Sequence, residues 1–305
     1  MKAIYDGHSV VETDIPELKP GEKLVEVAYA GVNRADVLQA AGHYPPPPGE
    51  SDVLGLEVSG YVVDSGQPVA ALLAGGGYAE YVAVPEGQLA PIPDGMSMAE
   101  AGGLMEVACT VWHNVFMLAG LKKGERILIH GGAGGIGTTA IQLAHHFGAE
   151  VAVTAGSPEK LELCKKLGAD ILINYKEQDF TQELKNSCNV ILDIIGAKYL
   201  PQNVKALAPF GRMVTIGLQG GVKGELNLGL LLSKQGTIHA TGLRGKPKEM
   251  KAEIVASTVT NVWPLIEQGV ISIQLSDTLP LDQAAEAHRR LSEGDNTGKI
   301  VLAVD

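Results

Sequence analysis

The stretch that decides the fold is RILIHGGAGGIGTTAIQLAHH, from Arg126 to His146. It opens with an apolar run, passes through a glycine-rich turn and ends in a run with helical spacing. Gly132-x-Gly134-x-x-Gly137 stands directly between the predicted strand and the predicted helix. The first glycine allows a tight turn, the second lets backbone N–H groups reach a pyrophosphate, and the third lets helix and strand pack closely. The stretch therefore predicts a dinucleotide-binding βαβ unit with phosphates at the helix N-terminus.

Predicted strands and helices alternate from this stretch onward. The predicted strands are Arg126–His130, Glu150–Thr154, Ile171–Asn174, Asn189–Ile194, Arg212–Ile216 and Thr237–Thr241, and the helices between the earlier ones are Gly135–Phe147, Pro158–Leu167 and Leu200–Leu207. Several of these strands are almost wholly apolar, which is typical of a parallel sheet covered on both faces. The sequence predicts an α/β fold with a doubly wound parallel sheet.

The residues on either side of this region have a different character. The first hundred residues read as short strands broken by glycine and proline, and the end of the chain carries two predicted helices and a closing strand, KIVLAV. That strand has no parallel partner left in the alternating series, so we expect it to return to the N-terminal strands. The predicted domains are therefore a discontinuous β-rich domain over 1–108 and 246–305 and a nucleotide-binding domain over 109–245.

The composition indicates which partners the chain can bind and in which cellular compartment we expect it. The chain has 305 residues, 45% of them hydrophobic, and 24 basic against 35 acidic side chains give a formal net charge of −11. Such a chain has no general attraction for nucleic acid or anionic lipid. It has no apolar run long enough to span a bilayer, and its N-terminus lacks the apolar core of a signal peptide. Cys109, Cys164 and Cys188 are scattered, which is typical of reduced, buried thiols, so we expect a cytoplasmic protein.

The strand VAVTA, which follows the glycine-rich unit, ends without the acidic residue that holds the ribose 2′-hydroxyl in NAD sites. Ser157 stands at that turn and Lys160 lies in the following helix. A hydroxyl and an ammonium can hold the 2′-phosphate of NADP, which a carboxylate would repel. Tyr175, after the third strand, could stack on adenine or donate to the same phosphate. Ser157 also fits a helix N-cap before Pro158 and Lys160 a solvated lysine, and both roles are compatible with NADPH as the predicted cofactor.

The order of these elements resembles the medium-chain dehydrogenase/reductase superfamily. The resemblance is carried over nearly the whole chain by GVNRADVLQAAGHYPPPPG, LGLEVSGYV, IHGGAGGIGTTAIQLA, TAGSPEKLELCKKLGAD and TGKIVL. The sequence is similar to the zinc-independent quinone oxidoreductases related to zeta-crystallin, and NRAD with GHYPPPPG and TAGSPEK with NYK point to their stress-inducible group. The resemblance implies a GroES-like catalytic domain joined to a Rossmann NADP-binding domain.

The resemblance also implies that no zinc is bound. Where zinc alcohol dehydrogenases have a ligand cysteine this chain has Asn33, and their Gly-His-Glu is replaced by Gly55-Leu56-Glu57. Neither an amide nor a leucine can take the place of a thiolate or an imidazole on Zn²⁺.

The same resemblance places Asn33 and Tyr44 at the substrate end of the cleft, as the candidate catalytic residues. Both side chains are neutral donors that can bind an oxyanion forming on a quinone or an enone. Asn33 could equally be a turn residue and Tyr44 a wall of the pocket. Four prolines follow Tyr44 and would hold that loop extended.

The predicted cofactor contacts come from the glycine-rich loop, from the second and third strand ends and from the resemblance. The full set is Thr110, Gly132, Gly134, Gly135, Ile136, Gly137, Ser157, Lys160, Tyr175, Gly217, Leu218, Leu243 and Arg244. The resemblance alone implies that Thr110 lies near the nicotinamide ribose. It also places Gly217 and Leu218 beside the nicotinamide half of the cofactor, and Leu243 and Arg244 in a loop that contacts it.

Together these inferences predict an NADPH-dependent, zinc-independent oxidoreductase that transfers hydride to a quinone. Reduction of an enone or 2-alkenal uses the same geometry and remains open, as does a non-catalytic NADPH-binding protein. The apolar segment LNLGLLLSKQGTIHATGL leads into an edge strand, which favours a homodimer unless the segment folds back over its own sheet.

Overall fold

Short strands are distributed along the whole chain. In the computed structural model, which describes residues 1–304, they are β1 (Lys2–Ile4), β2 (Val10–Glu12), β3 (Glu22–Gly31), β4 (Glu57–Val62), β5 (Pro68–Leu72), β6 (Tyr81–Pro85), β7 (Leu89–Pro91), β8 (Arg126–His130), β9 (Glu150–Ala155), β10 (Ile171–Asn174), β11 (Cys188–Asp193), β12 (Leu207–Thr215), β13 (Thr237–Ala240), β14 (Leu275–Pro280) and β15 (Lys299–Ala303).

The α-helices lie between and after these strands. They are α1 (Arg34–Ala40), α2 (Met98–Ala101), α3 (Met105–Val111), α4 (Gly135–His146), α5 (Pro158–Lys166), α6 (Phe180–Glu183), α7 (Leu200–Ala206), α8 (Leu228–Lys234), α9 (Lys248–Glu267) and α10 (Ala284–Glu293). A π-helical segment, Trp112–Leu118, continues α3. Among residues 1–304, none of the helices combines the length and the apolar character needed to cross a membrane.

The chain divides into two compact units. The mixed-sheet unit contains Met1–Cys109 and the residues from Leu243 onward, and the parallel-sheet unit contains Thr110–Gly242.

The parallel-sheet unit is built on a six-stranded sheet in the order β10-β9-β8-β11-β12-β13. Neighbouring strands are parallel throughout, which needs a crossover connection between one strand and the next. Helices cover both faces, so the inner strands β8 and β9 are almost wholly buried. This order confirms the predicted doubly wound Rossmann sheet, with the switch point between β8 and β11.

The mixed-sheet unit is built on a seven-stranded sheet in the order β14-β15-β3-β4-β5-β7, with β6 also paired to β3. The closing strand β15 is antiparallel to β3, with Val301 opposite Gly31, and parallel to β14. It therefore returns to the N-terminal strands, as the sequence predicts. Alternate side chains of β3, such as Val25 and Val27, enter an apolar core shared with Leu302. The predicted β-rich, GroES-like domain is confirmed.

The residues after Ser97 form two short helices, and the chain is not helical between them. Ser97 and Glu100 form a capping box that starts α2, but α2 ends at Ala101. Gly102 packs against β3, and a side chain there would lie 2.7 Å from Cβ of Tyr29. Because the chain must pass this close to the sheet, the helix breaks and α3 begins afresh at Met105.

Candidate active site

The glycine-rich loop joins β8 to α4. Gly131 has a φ of +72°, which favours glycine, and a Cβ on Gly137 would lie 2.4 Å from the carbonyl oxygen of Gly131. The first hydrogen bond of the helix runs from the N–H of Thr138 to the carbonyl of Gly134. The N–H groups of Gly135, Ile136 and Gly137 precede it and have no acceptor within the helix, and no capping side chain covers them. These residues therefore fit a dinucleotide pyrophosphate, for which three free donors and a helix N-terminus are suited.

Replacing Gly137 with alanine is expected to destabilise the ligand-free protein by about 1–3 kcal/mol, since the added methyl group meets backbone that cannot rotate away. Gly134→Ala is the matched control in the same loop. A Cβ on Gly134 would have the carbonyl oxygen of Gly131 as its nearest neighbour, at 3.6 Å, which is an ordinary van der Waals contact. Urea unfolding of the two variants measures the difference. Equal stability of the two would show that helix and strand do not pack as closely as the structure indicates.

Three predicted contacts meet where β9 and β10 end. Ser157 is the N-cap of α5, and its Oγ accepts from the N–H of Lys160 at 3.4 Å. The hydroxyl of Tyr175 lies over Gly156, where a side chain would come within 2.6 Å of it. The capping role considered for Ser157 is thus present in the structure. Half-buried Ser157 and Lys160 with the exposed Tyr175 surround a strand end that has no acidic residue between 151 and 158. Their roles toward a 2′-phosphate remain a prediction.

Further predicted contacts lie near the ends of β11 and β12. Gly217 follows β12, and its Cα lies so close to the preceding crossover that a Cβ would be 2.8 Å from the carbonyl oxygen of Ile194. Leu218 is exposed beside it. Asp193 is buried and accepts from the N–H groups of Ile195 and Gly196 and from the hydroxyl of Thr215. Asp193 therefore sets the turn that lies beside Gly217.

Thr110 has an unsatisfied hydroxyl. Its side chain is buried, and its Oγ1 has no hydrogen-bond partner within residues 1–304. Asn114 donates to the Thr110 carbonyl at 2.8 Å and accepts from the hydroxyl of Thr241 at 2.8 Å. Leaving a buried hydroxyl without a partner costs about 1–3 kcal/mol, so such a group fits a ligand contact.

The candidate catalytic residue Asn33 belongs to a buried ionic cluster. It is the N-cap residue of α1, and its Nδ2 donates to Glu57 Oε1 at 2.9 Å. Its Oδ1 accepts from Lys299 Nζ at 2.7 Å, and Lys299 also donates to Glu57 Oε1 at 2.7 Å. The Lys299 ammonium therefore bridges the side chains of Asn33 and Glu57. The amide of Asn33 is already engaged, which favours its structural role over that of a free oxyanion donor.

Asp36 accepts a hydrogen bond from the backbone of this cluster. Its carboxyl is buried and accepts from the backbone N–H of Asn33 at 2.7 Å, from that of Gly55 at 3.2 Å and from the hydroxyl of Tyr78 at 3.3 Å. Burial raises the pKa of Asp36 to about 7. The Tyr78 hydroxyl also contacts Nε2 of His288 at 3.2 Å. The backbone of Asn33 is thus held from the interior of the unit.

Tyr44 and Arg244 lie together in the mixed-sheet unit. The Arg244 guanidinium stacks on the Tyr44 ring, 5.3 Å from its centroid, and donates to the Tyr44 carbonyl at 3.1 Å. It also donates to the carbonyl of Ala74 and to Gln39 Oε1. Arg244 is therefore engaged in holding the proline-rich loop, and its contact with the cofactor, like that of buried Leu243, remains a prediction. The Tyr44 hydroxyl makes no hydrogen bond in residues 1–304, so it can act as a donor.

His130 and the cysteines are not placed for chemistry. His130 is buried between Thr154 Oγ1 at 3.0 Å and Asn203 Oδ1 at 2.8 Å, and burial lowers its pKa. The three cysteines, Cys109, Cys164 and Cys188, are free and buried, and burial raises the pKa of each thiol to about 12. The free, buried cysteines agree with the reduced, buried thiols expected from the sequence.

Two family models match the chain. The model described as "Zinc-binding dehydrogenase" matches residues 135–259, and the model described as "Alcohol dehydrogenase GroES-like domain" matches residues 19–94. The first match covers most of the parallel-sheet unit and the first part of α9, and the second lies within the mixed-sheet unit.

Individual proteins match the chain over more than nine-tenths of its length. The chain is 30% identical over 318 residues to a quinone oxidoreductase of Pseudomonas aeruginosa, covering 98% of this chain and 97% of that protein. It is also 30% identical over 294 residues, 92% of its length, to a phenolphthiocerol/phthiocerol polyketide synthase of Mycobacterium tuberculosis. The chain spans only 13% of the length of that synthase.

The Escherichia coli quinone oxidoreductase, solved in complex with NADPH, superposes with a TM-score of 0.88 at 26% identity, covering 99% of each chain. Fold, domain models and a full-length relative agree: the chain belongs to the medium-chain dehydrogenase/reductase superfamily, among its quinone oxidoreductase-like members.

Proposed function

We propose that this protein is an NADPH-dependent oxidoreductase that transfers hydride to a quinone without a metal ion. The observation that carries the proposal is the pair of nucleotide features in the parallel-sheet unit. One is the glycine loop with three free N–H groups, and the other is the acid-free strand end with Ser157 and Lys160. The first feature suits a pyrophosphate and the second suits a 2′-phosphate. The similarity to an NADPH complex supports the same cofactor.

Different residues of the chain would bind the cofactor and the acceptor. The N–H groups at the start of α4 would hold the pyrophosphate, and the Thr110 hydroxyl would find its missing partner on the cofactor. NADPH, when bound, supplies the hydride. The Tyr44 hydroxyl would bind the oxygen of the acceptor, where negative charge develops during reduction.

A metal-independent reaction is supported by the cluster at Asn33. The Lys299 ammonium donates to Val32 O, Asn33 Oδ1 and Glu57 Oε1, so its three hydrogens are all used. A fixed positive charge thus already occupies the space between these oxygens. We also propose a cytoplasmic location, since three free thiols suit a reducing compartment.

Reduction of a conjugated double bond is the second candidate. The similarity to a segment of a polyketide synthase favours it, and an enone places its developing oxyanion on the same donors. The test is NADPH consumption by the purified protein with an ortho-quinone and a simple enone offered separately. Turnover of the quinone supports the proposal, and turnover of the enone alone supports the second candidate. Binding of NADPH without turnover of either would leave a non-catalytic binding protein.

We propose that the protein is a homodimer, paired through the β13 edge of the parallel sheet. The strand β13 ends the sheet, and the neighbouring helix α8 exposes Leu228 and Leu232 at 68% and 79%. Four residues apart, these leucines share one helix face.

Leu232→Glu is expected to convert the dimer to a monomer, because a carboxylate cannot be buried in an apolar contact. Sedimentation velocity measures the change. Met250→Glu, at an exposed apolar residue of α9, is the control and should remain dimeric. A wild-type protein that sediments as a monomer would contradict the proposal.

A further inference from the structure

Glu106 is the second residue of α3, and no sequence motif singles it out. Its backbone N–H donates to Glu57 Oε2 at 2.9 Å. The other oxygen of Glu57 holds Asn33 Nδ2 at 2.9 Å and Lys299 Nζ at 2.7 Å. One buried carboxylate therefore fixes both Glu106 and Asn33, so the start of α3 is held beside Asn33.

The side chain of Glu106, unlike its backbone N–H, is not hydrogen-bonded to Glu57 or to another group among residues 1–304. Within residues 1–304 its carboxyl takes part in no hydrogen bond and no ion pair, and the residue is half-buried. The titratable and charged groups around it are Asp36, Tyr44, Glu57, Cys109, Arg244, Lys251 and Lys299. Tyr44, the candidate oxyanion donor, is one of them. A carboxyl group that is fixed through its backbone, accessible and without a partner is placed to act on a ligand.

The surroundings of Glu106 keep its carboxyl protonated. Burial raises its pKa to about 8, with the negative charges of Glu57 and Asp36 acting in the same direction and Lys299 and Lys251 opposing them. At neutral pH the side chain is therefore a neutral O–H donor. A carboxyl whose pKa lies near the working pH is well suited to general acid catalysis.

Reduction of a quinone or an enone needs a proton for every hydride. The amide of Asn33 does not ionise and already holds Glu57. Burial raises the pKa of Tyr44 above its usual value near 10, and the charge of Glu106 adds a smaller effect in the same direction. The phenol is therefore a weak acid. Neither of the candidate catalytic residues is therefore a good acid. Asp36, whose pKa is also raised, is fully buried and already accepts three hydrogen bonds, so Glu106 is the acid near them that a ligand can reach.

We infer that Glu106 is the proton donor of the reduction, a role that rests on the proposed function. Hydride and its electron pair pass from the reduced cofactor to the acceptor, so the cofactor is oxidised and the acceptor oxygen becomes an oxyanion. The O–H bond of Glu106 breaks while a new O–H bond forms on that oxygen, and the bonding electrons stay on Glu106 as a carboxylate. A proton from water restores the acid.

Glu106→Gln tests this role, since the amide keeps the shape of the side chain and the backbone bond to Glu57. With NADPH and the better acceptor, we expect kcat to fall by about 100-fold, within the range of general acids, while NADPH affinity is unchanged. The kcat of the wild-type protein should be constant well below pH 8 and fall to half of that value near pH 8, as Glu106 ionises. The variant should lose that decline. Glu253→Gln removes an exposed carboxyl of α9 and should keep the wild-type rate and pH profile.

A second measurement needs no cofactor. The infrared difference spectrum between the wild-type and Glu106→Gln proteins isolates the Glu106 carboxyl. We expect a protonated carboxyl band at pH 7 that disappears as the pH passes about 8. Glu106→Leu replaces the glutamine variant in both experiments if the latter does not fold.

Two results would overturn the inference: a Glu106→Gln enzyme with the wild-type kcat and pH profile, or a Glu106 that is fully ionised at pH 7. Either result leaves turnover by the wild-type protein, and with it the proposed function, intact. Absence of turnover by the wild-type protein with every acceptor would reject the proposed function itself.

Discussion

Lys299→Met is expected to lower the free energy of unfolding by about 3–5 kcal/mol, because it leaves the buried Glu57 carboxylate without its cation. Lys299 is 4% exposed and Glu57 is fully buried, so water cannot replace the ammonium. The variant also removes the donor to Asn33 Oδ1 and to the carbonyl of Val32. Urea unfolding followed by circular dichroism measures the loss.

Two further variants separate the ionic effect from a general loss of packing. Lys23→Met removes an exposed ion pair with Asp64 and should change the stability little. Adding Glu57→Gln to Lys299→Met removes the uncompensated charge and should recover most of the lost stability. A double variant no more stable than Lys299→Met alone would show that the charge of Glu57 is not the cause.

Replacing Ser157 and Lys160 together with alanine is expected to weaken NADPH about 10- to 100-fold. Hydrogen bonds to a charged group contribute about 1.5–3 kcal/mol, and this one phosphate distinguishes NADPH from NADH. NADH affinity should change little, because its 2′-hydroxyl needs neither an ammonium nor a capping hydroxyl. Fluorescence titration of each cofactor gives both affinities.

Lys165→Ala, at an exposed lysine in the last turn of the same helix, is the control for the change in net charge. It should leave both affinities unchanged. Equal weakening of NADPH and NADH by the Ser157 and Lys160 substitutions would assign the loss to a damaged α5 and would reject the phosphate site.

The nucleotide half of the fold could be predicted because its determinants are local. Local structure here depends on residues that are only a few positions apart. This holds for the glycines of the loop, for the capping Ser157 and for the apolar strands. The order of strands then follows from the handedness of βαβ crossovers. The same is true of the edge position of β13.

The candidate site in the mixed-sheet unit could be predicted only in part, because its contacts are remote in sequence. Lys299 and Glu57 are 242 residues apart, and no local sequence pattern predicts their pairing. The guanidinium of Arg244 reaches the Tyr44 carbonyl across 200 residues. The sequence therefore left Asn33 as either a catalytic donor or a turn residue, whereas in the structure its amide donates to the buried Glu57 carboxylate. Glu106 was missed for the same reason: its surroundings exist only after β4, β15 and α9 have come together.

The most direct test of hydride transfer from NADPH is a single-turnover experiment. The protein is mixed with one equivalent of NADPH, and its oxidation by an ortho-quinone is followed in a stopped-flow instrument, first with ordinary NADPH and then with NADPH deuterated at C4 of the nicotinamide. We expect complete oxidation of the bound NADPH, with a slower phase for the deuterated cofactor, because the C–H bond breaks in that step. No oxidation beyond the protein-free rate would contradict catalysis by this chain.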